Sequence, residues 1–103
     1  MYKLCFFVPQ AHAEKVKAAV FAAGAGKIGD YDHCCWQVLG QGQFRPLTGS
    51  QPFLGSEGQL HIVSELKIEM VCEDALIAGV VKALKISHPY REPAYEVWLL
   101  ADL

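Results

Sequence analysis

The run LHIVSELKIEMVC at residues 60–72 constrains the fold more than any other part of the chain. Leu60, Ile62, Leu66, Ile68 and Met70 share one parity, and His61, Val63, Glu65, Lys67 and Glu69 share the other. A period of two is that of a β-strand, whose successive side chains point to opposite faces. Thirteen residues extended span about 43 Å, well beyond an ordinary strand. Such a strand must bend, bulge or overhang the body that it joins. Its apolar parity requires a covering layer.

The rest of the chain supplies that layer. Residues 2–8, YKLCFFV, are β-rich and stop at Pro9. Residues 11–23 place Val16, Ala19, Val20 and Ala23 on a helical stripe, with Glu14, Lys15 and Lys17 outside it. Lys17 is expected on the solvated face. Gly24, Gly26 and Gly29 then end the helix. A second strand is expected over 32–39, with Trp36 and Val38 on one face. Residues 40–58 carry Gly40, Gly42, Pro46, Gly49, Pro52, Gly55 and Gly58. A connection of that length in a small domain is often functional. Residues 74–87 put Leu76, Val80, Val81 and Leu84 on a second helical stripe, with Asp74 near the start and Pro89 beyond the end. Residues 94–100 form the last strand.

The order is therefore β-α-β-β-α-β over one domain, residues 1–103. That is the split βαβ of ferredoxin-like α+β folds: a four-stranded antiparallel sheet with two helices on one face. The face without helices is expected to be apolar, through Trp36, Val63 and Trp98. An exposed apolar sheet face marks an interface, so a homo-oligomer is expected. Hydrophobic residues at 52% and charged residues at 19% exclude disorder and agree with self-association. The net charge of −2 is spread along the chain, which argues against nucleic acid and anionic lipid. No apolar run reaches the ~20 residues of a membrane span. Cys5, Cys34, Cys35 and Cys72 form no C-x-x-C pair and sit in apolar stretches. They read as reduced structural thiols, which places the protein in the cytoplasm.

Five segments in order give the chain a family resemblance: GAGKIGDYDHC (24–34), GQGQFRP (40–46), QPFLGSEG (51–58), SELKIE (64–69) and HPYREPAYEV (88–97). Together they resemble the YqfO-like domain of NGG-interacting-factor-three proteins, which occurs inserted in those proteins and also standing alone. The resemblance implies a ferredoxin-like fold similar to the PII signalling proteins and the CutA divalent-cation tolerance proteins. The full-length family has a dinuclear metal centre, but its ligands lie in flanking halves outside this sequence. Neither the metal centre nor a hydrolase activity is carried over, and no cofactor is implied. Many members have Glu after H-P-Y, where this chain has Arg91.

Candidate site residues divide into three groups. GAGKIG follows a helix instead of opening one, so it is a turn unless Lys27 helps it to hold an anion. GQGQFRP offers Arg45 to a carboxylate or phosphate, with Phe44 tucked into the body in the bland alternative. In HPYREP, His88 ends the second helix and can cap its carbonyls. His88 and Glu92 are otherwise candidates for contact with a ligand or metal. Tyr90 is expected to be largely buried, with its hydroxyl bonded. Glu65 and Glu69 stand about 13 Å apart along one strand face, too far for a shared metal ion. Each needs a cationic partner if an interface buries it, and Arg45 or Arg91 of a neighbour could serve. The combined expectation is a non-enzymatic, self-associating module that binds a small ligand or metal at subunit clefts through His88, Tyr90, Glu92, Arg45 and Lys27. The alternative is a module that acts on a larger dinuclear-metal family protein.

Overall fold

The structure is a computed structural model that describes residues 1–103. Strands β1 (Tyr2–Pro9), β2 (Trp36–Phe44), β3 (His61–Cys72) and β4 (Tyr95–Leu99) form one sheet. Helices α1 (Ala13–Ala22) and α2 (Ile77–Ser87) cover one face of it. Every strand pairing is antiparallel and the spatial order is β2-β3-β1-β4. This is the split βαβ arrangement expected from the alternation. Neither helix is long and apolar enough to cross a membrane.

The core follows from the two periodicities. Leu4, Phe6 and Val8 of β1 lie opposite Met70, Ile68 and Leu66 of β3, so one parity of both central strands faces the helices. Val16 and Val20 of α1 and Val80 and Leu84 of α2, all fully buried, close over them. Burying a side chain of that size contributes about 1.5–3 kcal/mol each. The helix α1 departs from its expected surface at Lys17. Its ammonium reaches both Glu14 and the amide oxygen of Gln37 on β2, each at 3.0 Å, and its side chain is only 15% exposed. The lysine clamps the helix to the edge strand with its apolar stem covered.

The second strand starts later and ends later than its sequence predicts. His33, just before it, has a left-handed backbone (φ 54°), which delays the strand to Trp36. Cys34 and Cys35 lie in this connection, not on the strand, and Cys35 is exposed. At the other end β2 runs through Gly40 and Gly42. A Cβ at Gly42 would stand 1.9 Å from Glu65 Oε1, so the strand tolerates this glycine because the carboxylate of its neighbour occupies the space. The second helix also begins later, at Ile77, after a turn in which Leu76 N–H bonds the Glu73 carbonyl.

The long third strand overhangs. Its pairing with β1 ends at Glu65 opposite Pro9, whereas its pairing with β2 continues to His61 opposite Phe44. The last residues of the β2–β3 hairpin thus project past β1, and the molecule measures 46 × 25 × 24 Å. The helix-free face is mixed, and its most exposed large apolar side chains lie along its margins. Trp36 (62% exposed) and Val38 lie on one edge strand and Trp98 (44% exposed) on the other. Lys3, Lys67, Glu69 and Glu96 share the face between them.

Candidate functional site

Where β1 stops and the hairpin continues alone, the helix-free face is left with a recess. The α2–β4 turn fills part of it. Pro89 has no N–H to continue α2, so His88 leaves the helix in an extended conformation (φ −71°, ψ 138°). Its ring turns into the body, and the residue is 6% exposed. His88 Nδ1 lies 3.0 Å from the backbone nitrogen of Tyr90, which can only donate. Nδ1 is therefore the unprotonated acceptor, and Nε2–H donates to the Phe7 carbonyl at 2.7 Å. The ring is a neutral connector between the end of β1 and the turn. Burial pushes its pKa below the usual histidine value, with the nearby His12 adding to the effect and the Phe7 bond opposing it.

This connector sets the position of Tyr90. The tyrosine ring is half-buried and its hydroxyl donates to Glu65 Oε2 at 3.1 Å. Burial and the Glu65 charge hold the phenol far above its ordinary pKa, so it remains a donor throughout the physiological range. Tyr90 packs edge-on against Phe44, with ring centroids 5.8 Å apart, and lies 6.2 Å from Phe53. Phe44 stacks on His61, and Phe53 meets His12 edge-on. The 45–60 connection is thereby folded back over the sheet. Gly58 N–H bonds the Pro46 carbonyl at 2.7 Å and closes the loop on itself. The guanidinium of Arg91 donates to the Gln51 side-chain oxygen and ties the loop to the α2–β4 turn.

The result is a cleft of about 290 Å³ bounded by five separate segments. Phe7 and Glu65 form part of its sheet side, Phe44, Arg45 and Pro46 the hairpin side, Ser50 to Leu54 the loop side, and Tyr90, Arg91 and Glu92 the turn side. The Ser50 hydroxyl is shielded from solvent and has no hydrogen-bond partner. Buried polar atoms are nearly always bonded, so this one is notable at the wall of a cleft.

Of the residues singled out from sequence, Arg45, Tyr90 and Glu92 meet in this cleft. His88 stands behind Tyr90, with both ring nitrogens used. It positions the turn and neither lines the cleft nor caps helix carbonyls with its ring. The Tyr90 hydroxyl is bonded as expected, but its ring is half-buried and His88 is the fully buried side chain of the turn. Lys27 is elsewhere: the adjacent Gly26 N–H bonds the Val71 carbonyl, six residues along β3 from Glu65 or about 20 Å. Trp36, Val63 and Trp98 do share the helix-free face. Sequence reasoning treated Glu65 as an interface charge and passed over Ser50 and Gln51. The available signal was Gly42 and Phe44, two positions apart on the strand facing Glu65. No group of three or more His, Cys, Asp or Glu side chains converges, so the residues do not fit a metal centre.

A β2-β3-β1-β4 sheet with two helices on one face and an overhanging hairpin defines the chain as a CutA-like member of the ferredoxin-like class. CutA1 from Pyrococcus horikoshii superposes with a TM-score of 0.71 over 100% of this chain and 86% of its own, at 17% identity, a likeness of fold alone. Two relatives are much nearer in sequence. A Bacillus cereus protein related to NIF3 matches 98% of the chain with a TM-score of 0.83 and 42% identity. A Halalkalibacterium halodurans protein named GTP cyclohydrolase 1 type 2 homolog is 45% identical over 102 residues, 99% of this chain. No family model matches the sequence. Over nearly all of its length the chain is thus similar to one segment of NIF3-related proteins. It spans about a quarter of the length of these relatives, 26% of the first and 27% of the second.

Proposed function

We propose that this domain is a non-catalytic, self-associating module that takes a small organic ligand in the cleft between Glu65, Arg45 and Tyr90. The convergence of Arg45, Arg91, Glu65 and Glu92 with the rings of Phe44, Phe53 and Tyr90 on one preformed recess carries the reading. Ser50 is not placed as a nucleophile, which needs a base within hydrogen-bond reach. The absence of a converging ligand set favours an organic molecule over a metal ion. Self-association is supported by the tryptophans exposed at both margins of the helix-free face. The four free cysteines suit the reducing cytoplasm.

Light scattering across micromolar concentrations tests assembly, and a constant mass of 11.3 kDa would end that half of the reading. A thermal-shift screen tests the other half. A ligand specific to the folded state raises the melting temperature, and Glu65→Gln should abolish that rise for a cleft ligand.

A second reading has its own support. The relatives contain this domain as about a quarter of a longer protein, so it could act on their remaining segments. Titrating the isolated domain against those segments, with heat of binding as readout, distinguishes the two.

A further inference from the structure

We infer that the cleft recognises a free α-amino acid with an apolar side chain, bound as its zwitterion. This rests on the reading of the cleft as a ligand site and names the ligand class. Four charged side chains line the cleft, two of each sign: Glu65 and Glu92, Arg45 and Arg91. None of them forms an ion pair, since all three ion pairs of the chain lie elsewhere. Glu65 receives only the neutral hydroxyl of Tyr90, and Arg91 donates only to the neutral amide of Gln51.

Opposite charges that share one recess yet leave each other unneutralised are complementary to a molecule carrying both. A purely anionic ligand, such as a polyphosphate, would meet two glutamates. A purely cationic one would meet two arginines. A zwitterion meets each with its opposite. An ammonium offers three donors to Glu65, which still has an oxygen without a hydrogen-bond partner. An arginine fork matches a carboxylate with two parallel bonds. Glu65 is half-buried, which strengthens such a contact relative to bulk water. Phe44, Phe53 and Tyr90 then present aromatic surface to an apolar side chain. A volume of about 290 Å³ lies at the small end of ligand sites, which suits a single amino acid better than a dinucleotide.

The test is calorimetric titration of the full chain with L-phenylalanine, N-acetyl-L-phenylalanine and L-phenylalaninamide. L-phenylalanine should bind. Each derivative lacks one charge and should bind roughly tenfold to a hundredfold more weakly, the loss expected for a hydrogen bond to a charged group. Glu65→Gln should erase the preference for the free amine over the acetylated form. The double substitution Arg45→Ala, Arg91→Ala should erase the preference for the carboxylate over the amide. Circular dichroism confirms that both variants fold. Equal affinity for the acetylated derivative would overturn the proposal. So would a failure of L-phenylalanine and L-leucine to bind while another screened compound bound in a Glu65-dependent way, an outcome that keeps the cleft as a ligand site. If no compound bound at all, the reading of the cleft itself would fall with it.

Discussion

Replacing His88 by Phe keeps a ring of similar shape in a buried site and removes both of its hydrogen-bonding nitrogens. The Phe7 carbonyl and the Tyr90 N–H are then left without partners. Each stranded buried group costs about 1–3 kcal/mol, and Tyr90 lies at the lower end because its residue is half-exposed and water can reach it. The sum is about 3 kcal/mol, which in a domain of this size lowers the melting temperature by roughly 12–20 °C. Urea unfolding followed by circular dichroism, at several pH values from 7.5 to 5, measures it. The pH series adds a signed expectation. The folded-state pKa of His88 is lowered, so between that value and the unfolded value of 6.5 the unfolded chain binds the extra proton. Wild-type stability therefore holds its full His88 contribution above pH 6.5. It loses part of it as pH falls below 6.5, and stops losing it below the folded pKa. His88→Phe lacks this component, so the gap between the two proteins must narrow on acidification. A variant as stable as wild type at pH 7.5, or a gap that widens with acid, would refute the assignment of His88 as a neutral, doubly bonded connector.

Gly42→Ala should displace the Glu65 carboxylate and break its bond to Tyr90, while stability stays within about 1 kcal/mol because alanine suits a strand better than glycine. Unfolding and ligand titration on one preparation check that split, with loss of ligand response expected. A charge at the helix-free face, Trp98→Asp, should lower the mass seen by light scattering, whereas Lys15→Glu should leave it unchanged. Lys17 is an unsuitable control because it bridges Glu14 and Gln37. A strong chelator should leave the melting temperature unchanged, since no set of metal-ligating side chains converges; a large drop in a thermal scan would reveal one.

The fold was legible because its signals are local and redundant. The alternation in β3 and the apolar stripes on α1 and α2 each repeat over many residues. The second strand was misplaced because Gly40 and Gly42 read as interruptions. Their tolerance depends on Glu65, a residue of another strand that occupies the space above Gly42. The cleft was legible only in part for the same reason. Arg45, Tyr90 and Glu92 stand out by residue type, but their convergence depends on long-range contacts. The contact that fixes Tyr90 runs from His88 to a carbonyl 81 residues away, and a main-chain carbonyl leaves no mark in a sequence. The mixed character of the helix-free face is legible in part, since the alternation puts Glu65, Lys67 and Glu69 on one parity of β3, whereas Lys3 and Glu96 join them only through the register of β1 and β4.

The position of β1 bears on how the chain acquires its shape. It is the first strand in sequence and a central one in space, and both of its neighbours come from the far end: Tyr2 pairs with Cys72 on one side and with Leu99 on the other. The entropy of closing those loops must be met before the pairings return anything, which makes such topologies slow to fold. During synthesis β1 emerges with both edges bare and stays so while the next sixty residues are made. The β2–β3 hairpin is the nearest-neighbour pairing in the sheet, and it can form before β1 has any partner. The overhanging arm is therefore also the natural early template, on which the first strand docks and the last strand arrives to close the open edge.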